Sequence, residues 1–237
     1  MRARLVTGYV PIAGHTRGPE VYGALGEKLA GVPVPKAAFY QRVEETWLHK
    51  FASSLLFPVK VSEGDNPAKN TLAYHCVNHQ KSEWLLNAVE KYPDNDWYVW
   101  VDYGIFSQPG VSNQIIYEMF EQLSRTPPDK IYIPGCWDKS AIIESATPCW
   151  RFCGSMFAVP KKFVPMLHFA CVKTAFKHIR ATNNIEWEIN TLARIEKNER
   201  LPFHWYRADH NGTQFTNFPT PPTPTAQSVP QGLGASE

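Results

Sequence analysis

A single carboxylate interrupts the most apolar run in the chain. In WYVWVDYGIF, residues 97–106, Asp102 follows five apolar or aromatic residues, and Gly104 comes two positions later. This pattern predicts a strand buried on both faces that ends on an acid and a turn. An unpartnered buried carboxylate is costly, so Asp102 must hydrogen-bond, pair or hold a metal. It either caps the next turn through backbone N–H groups or holds a divalent cation, Mn2+ or Mg2+, on a substrate diphosphate. In open α/β sheets ligands bind outside the carboxyl ends of the strands, where Asp102 is expected to stand. The Tyr103-Gly104 turn would let backbone approach such a ligand closely.

Other chemistry-bearing residues are spaced less tellingly. His75 and His79 stand four apart, but Cys76 follows His75 where a zinc-protease motif needs Glu, so helix packing is the expected role. The cysteines, 76, 136, 149, 153 and 171, are scattered without a CxxC pair, which argues against a zinc ribbon or a disulfide scaffold. In sequence, no neighbouring base marks Cys153 as a nucleophile. Glu186 and Glu188 in EWEINTLARI are two apart, so on a helix only one need face a cleft. Trp187 between them either stacks on a sugar or belongs to the core. Tyr9 could stack on a base and Arg17 grip a phosphate, or their loop is simply solvated.

The elements that must position these residues follow from periodicity. RLVTGYV (4–10) reads as a strand, and VYGALGEKLAG as a helix with Val21, Leu25 and Leu29 on one face. KAAFY is a second strand, and QRVEETWLHKFASSLLF a charged, amphipathic segment. NTLAYHCVNHQKSEWLLNAVEK (70–91) is the best helical candidate. VSNQIIYEMFEQLS is a helix with Ser112 as its cap. KIYIPGCW is a short strand, and WRFCGSMFAVP a strand broken at Cys153-Gly154-Ser155. Two further helices, FVPMLHFACVKTAFKHIRATN and IEWEINTLARIEKNE, precede a last strand in LPFHWYRA. Strands alternating with helices predict a three-layer α/β sandwich with a mostly parallel sheet over residues 1–218. Residues 219–237 are Pro-, Thr- and Gly-rich and are expected to be a disordered tail.

Composition narrows the class. With 24 basic and 22 acidic residues the net charge is +2, so no dominant electrostatic grip on nucleic acid is indicated. KKFVPMLHFACVKTAFKHIR is locally basic, which more often marks a solvated helix side. No stretch has the roughly 18 apolar residues that span a bilayer, and the N-terminus lacks a signal-peptide pattern. A soluble, cytoplasmic protein is the expectation.

The motifs taken together resemble a family. WVDYG resembles the metal-binding Asp-x-Asp element of GT-A glycosyltransferases, with Gly104 in place of the second Asp. The run HQKSEWLLNAVEKYPDNDWYVWVDYGIF resembles the HtrL/YibB-like family of bacterial glycosyltransferases, as do VTGYVPI, RFCGSMFAVP and EWEINTLARI. The resemblance spans most of residues 4–218 and implies a GT-A-like, Rossmann-like sandwich. It implies that Thr7, Gly8, Tyr9, His15, Arg17 and Tyr22 hold a nucleotide. It also implies that Lys81 reaches the donor diphosphate, beside Asp102, Tyr103 and Gly104, and that Gly154 and Ser155 lie beneath the donor sugar. Glu188 is then the catalytic carboxylate, with Glu186 second, Trp187 an acceptor contact, and Asp102 and His210 the ligands of Mn2+ or Mg2+.

Three functions compete on this reading. The first is a hexosyltransferase-like enzyme moving a sugar from a nucleotide-sugar, such as a UDP-sugar, to the hydroxyl of a glycan or another acceptor. The second is a non-catalytic sugar- or nucleotide-binding module that lost the acid Gly104 replaces. The third uses the aromatics to stack nucleic-acid bases, or glycosylates a modified DNA base. The sequence fixes neither donor, acceptor, stereochemical outcome nor oligomeric state.

Overall fold

The computed structural model describes residues 1–12 and 18–219. His15, Arg17 and the tail from residue 220 onward lie outside the described residues. Ordered along the chain, the strands are β1 (Ala3–Tyr9), β2 (Lys36–Tyr40), β3 (Lys60–Val61), β4 (Trp97–Val101), β5 (Ile131–Gly135), β6 (Met156–Pro160), β7 (Asn184–Ile185) and β8 (Phe203–Arg207). The helices are α1 (Pro19–Ala30), α2 (Trp47–Ser53), α3 (Leu72–Lys91), α4 (Asn113–Leu123), α5 (Val164–Thr182), α6 (Glu188–Asn198) and α7 (Thr213–Thr216).

Six strands form the central sheet in the order β2-β1-β4-β6-β5-β8. Only β6 runs against its neighbours, β4 and β5; the β2-β1-β4 and β5-β8 pairings are parallel. The expected mostly parallel sheet is therefore present, with one reversed strand that periodicity could not reveal. The pair β3 and β7, two residues each, makes a separate parallel ribbon.

Side chains alternate across the sheet as the pleat demands. On β4, Tyr98 and Trp100 face a core shared with Leu85 of α3, Leu167 of α5 and Leu192 of α6. Trp97, Val99 and Val101 face the opposite core, with Leu29 of α1, Ile116 and Met119 of α4 and Phe215 of α7. These are the three layers expected of an α/β sandwich. Of the apolar face foreseen for α1, Leu25 and Leu29 are buried, whereas Val21 is exposed. It sits in the first turn, where the helix begins beyond the edge of the core.

The capping residues set the helix bounds. Thr71 Oγ1 accepts from Tyr74 N at the start of α3, and Ser112 Oγ from Ile115 N at the start of α4. Helix α3 is unusual in burying His75, His79, Gln80, Lys81 and Ser82 as well as apolar residues. It packs between β1, α2 and α5, so it has little solvent face to offer polar side chains. The segment from Ile185 departs from expectation: Glu186 and Trp187 are extended, and α6 begins only at Glu188. Strand β6 likewise begins at Met156, after Gly154 has turned the chain at φ 71°. No helix among the described residues is long and apolar enough to cross a membrane.

Candidate active site

A cleft of about 880 Å3 opens at the carboxyl ends of β1 and β4, where β6 enters the sheet. Its walls include Gly8, Tyr9, Tyr22, Lys81, Asp102, Tyr103, Gly104, Ser155, Trp187, Glu188 and His210. These come from seven separated stretches of chain that the sheet topology brings to one end.

Lys81 is at the centre of the floor. Its Nζ lies 3.0 Å from Glu188 Oε1, 3.2 Å from Asp102 Oδ1 and 3.0 Å from the Gly154 carbonyl. The lysine and Glu188 side chains are 6% and 12% exposed, but Asp102 keeps 35% of its surface open to the cleft. Burial alone would lower the Lys81 ammonium, yet Asp102 and Glu188 outweigh it and hold the pKa above its ordinary value. Burial acts against the Glu188 carboxylate too, and Lys81 overcomes it to leave that pKa below the usual range. At Asp102 burial prevails over Lys81 and the pKa is raised. Glu188 is thus the firmer partner of the ammonium, and Asp102 the more adaptable.

Second partners fix this arrangement. Trp100 Nε1 donates to Asp102 Oδ1 at 2.7 Å, and the Trp100 ring stacks on Trp84 with centroids 5.5 Å apart. Asp102 N donates to the Ser155 carbonyl, tying the end of β4 to the start of β6. A Cβ at Gly154 would meet Ile189 Cγ2 at 2.7 Å and Glu188 Oε1 at 2.8 Å. Together with its positive φ, that leaves glycine as the only residue that fits unstrained. Ser155 Oγ donates to Gln214 Oε1 at 2.6 Å, so its hydroxyl is turned to α7.

Tyr9, Tyr22 and Tyr103 form an aromatic cluster on one wall, with Tyr9 5.3 Å from Tyr22 and 5.1 Å from Tyr103 between ring centroids. Trp187 lines the opposite wall, packed on His75 and Tyr74. Gly8 reaches the cleft, but its missing Cβ is also needed by Trp84, whose ring would lie 2.4 Å away.

Two expected site residues stand elsewhere. Thr7 is buried within β1, apart from the cleft wall. Glu186 is 1% exposed and is held by Arg194 Nε at 3.1 and 3.0 Å and by the Thr191 hydroxyl. The chain is extended there, so Glu186 points into the protein while Glu188 opens α6 over the cleft. Glu186 is a structural ion-pair partner, which corrects its expected catalytic role. His75 and His79 pack as expected, with Nε2 against the Ser62 and Glu186 carbonyls. Burial drives the His79 pKa down to about 4.

His210 lines the cleft, but its ring is engaged away from Asp102. Nδ1 lies 3.3 Å from Cys136 Sγ, and Nε2 lies 3.2 Å from the Cys153 carbonyl. Sequence reasoning missed Tyr74, Trp100, Trp150 and Cys136 around the site. The aromatic residues looked like core, and nothing in their spacing distinguished them; Cys136 meets its partners only through the fold.

Neither a family model nor a curated protein matches the chain. Among solved structures it is similar to a glycosyltransferase involved in glycosylation of the major capsid of PBCV-1, at 12% identity and TM-score 0.46 over 88% of this chain and 82% of that one. It is also similar to mouse xyloside xylosyltransferase 1 in its apo form, at 10% identity and TM-score 0.47 over 87% and 85%. Likenesses this distant do not bear on substrate or mechanism, which rest on the geometry above.

Proposed function

We propose that the chain is a glycosyltransferase that moves a sugar from a nucleotide-diphosphate donor to an acceptor hydroxyl. Lys81 carries this reading: an ammonium held between two carboxylates on the floor of a wide cleft at the carboxyl end of the sheet. Such a buried triad contributes little net stability for its desolvation, so a functional role is the better account. A compact point charge suits diphosphate oxygens. The tyrosine wall offers a surface for the nucleotide base, and the Gly154–Ser155 backbone and Trp187 flank the space left for the sugar and acceptor.

The chemistry follows from an exchange of partners. When diphosphate oxygens take Lys81, Glu188 loses the cation that depresses its pKa and becomes a stronger base. Glu188 then receives the proton of the acceptor hydroxyl as its oxygen bonds to the anomeric carbon and the donor's bond to phosphate oxygen breaks. The departing diphosphate keeps its charge against Lys81. Asp102, one-third open to the cleft, fits as the single protein carboxylate on Mn2+ or Mg2+ brought by the donor. That cation would supply further stabilisation of the leaving group. With Gly104 in the second acidic position, Lys81 carries the larger share of charge neutralisation.

Thermal unfolding of the purified chain with UDP-, GDP- and CMP-sugars, with and without Mn2+, tests the proposal beside an assay of donor turnover. One diphosphate donor should raise Tm. D102N should lose the Mn2+-dependent part, E188Q should bind donor without turning it over, and folded E186Q should do both. No shift with any diphosphate sugar at about a millimolar would sink the proposal.

A further inference from the structure

At the rim of the cleft, outside the Lys81 triad, three ligand atoms converge from three loops. Cys136 follows β5, Cys153 precedes β6, and His210 follows β8. The Cys136 and Cys153 sulfurs are 3.3 Å apart, and Cys136 Sγ is 3.3 Å from His210 Nδ1. All three ligand atoms lie within 4.8 Å of one another, and no other such group of three occurs among the described residues. We propose that Cys136, Cys153 and His210 bind a thiophilic divalent metal, zinc foremost, at a position distinct from the cation at Asp102.

The spacing suits the chemistry. With Zn–S near 2.3 Å and Zn–N near 2.0–2.1 Å, tetrahedral ligand atoms stand roughly 3.5–3.8 Å apart. The two 3.3 Å separations need only a few tenths of an ångström of adjustment, and the third pair, within 4.8 Å, closes by about an ångström. The imidazole is set in the required tautomer. A carbonyl cannot donate, so Nε2 facing the Cys153 carbonyl at 3.2 Å carries the hydrogen and Nδ1 presents its lone pair to the sulfurs. Metal-ligating histidines are oriented in this way by their second nitrogen.

The scaffold is built before any metal arrives. Cys136 N donates to the Trp150 carbonyl, Cys153 N to the Pro134 carbonyl, and Ala208 N to the Gly135 carbonyl, so all three loops are tied together. Trp150 meets the imidazole edge-on, with centroids 4.6 Å apart. The cysteines would bind as thiolates and the imidazole as a neutral lone-pair donor, so affinity should rise with pH. Three protein ligands leave a fourth position for water. Because Cys153 and His210 both line the cleft, that position is on the substrate side.

The test is a titration of the reduced, chelator-treated full chain with Co2+, followed by Zn2+ competition. One equivalent of Co2+ should give thiolate-to-cobalt charge-transfer absorption that Zn2+ removes. The absorption should vanish in C136S and in H210N, and persist in C171A and D102N. Circular dichroism checks that each variant is folded, and H210N carries the test alone if C136S is not. The proposal is overturned if the reduced chain shows no charge-transfer band, or if the band survives in H210N. It is equally overturned if D102N abolishes uptake, which places the metal at Asp102. A chain that takes up no metal but forms a Cys136–Cys153 disulfide on mild oxidation would also overturn it, making the pair a redox couple.

Discussion

Replacing Lys81 with methionine keeps the apolar stem of the side chain and removes its charge. Glu188, 12% exposed, would then be an ionised carboxylate without its cation, whereas Asp102, 35% exposed, could recover part of its hydration from the cleft. Breaking a buried ion pair from one side costs about 3–5 kcal/mol, and Asp102, one-third open, argues for the lower end. That is a large part of the roughly 5–15 kcal/mol by which a domain is stable. The loss should depend on pH. In the native chain Glu188 titrates below its unfolded value, so its pairing stabilises the fold above the ordinary carboxylate pKa and is lost as pH falls through the lowered value. Without Lys81, burial should outweigh the remaining partners, Trp100 at Asp102 and the histidines near Glu188, and both carboxylates titrate above their unfolded values. Their ionisation then opposes folding at neutral and higher pH and is relieved as pH falls through the raised values. Urea unfolding of wild type and K81M at about pH 8 and about pH 5 reads both effects. The difference should be about 3 kcal/mol at the higher pH and clearly smaller at the lower, and K81M/E188Q should recover much of it. A penalty below about 1 kcal/mol, or one independent of pH, would refute the triad as the electrostatic centre of the fold.

Gly154→Ala places a methyl group against Ile189 and Glu188 at positive φ, which should cost about 1–3 kcal/mol and displace Glu188 from Lys81. Chemical denaturation should show the loss, and donor turnover per folded molecule should fall with it. His79 is neutral and buried in the native state with a pKa of about 4, against 6.5 when unfolded. Its contribution is therefore complete above the unfolded value and lost as pH falls between the two, amounting to roughly 3 kcal/mol. Replacing His79 with glutamine should flatten the stability profile across that interval, measured by urea midpoints at a series of pH values.

The alternation of strands and helices was legible because each element carries one clear period. Ser112 announces its helix, and WYVWV reads as a strand buried on both faces. The reversed direction of β6 was not legible, because antiparallel and parallel strands buried on both faces have the same apolar pattern. Among site residues, the placement of Asp102 followed from a local rule about strand ends. Lys81 and Glu188, 107 positions apart, needed the resemblance to be singled out, and nothing in sequence indicated that they touch. Glu186 stands second to Glu188 in the sequence reading because the whole segment reads as one helix, on which either acid could face the cleft. With the helix beginning at Glu188, two neighbouring acids acquire opposite surroundings. The Cys136–Cys153–His210 group escaped because its members are joined by topology and not by spacing.

Strand β6 also has a consequence for how the protein comes into being. It joins two parallel groups, β2-β1-β4 from the first part of the chain and β5-β8 from the later part. Within the sheet the two groups are hydrogen-bonded only through it, to β4 on one side and β5 on the other. Its pairings, Val99 with Ala158 and Tyr132 with Ala158, close shorter loops than Leu5 with Val99 or Ile131 with Phe203 inside the two groups, and each such closure carries an entropic cost. The segment that leads into β6 supplies the Gly154 carbonyl to Lys81 and the Ser155 carbonyl to Asp102. The charged floor of the cleft is therefore completed only when this seam closes. A nascent or partly unfolded chain in which this seam is open would hold Asp102 and Lys81 without the backbone that arranges them, so competence to bind requires the seam to have closed.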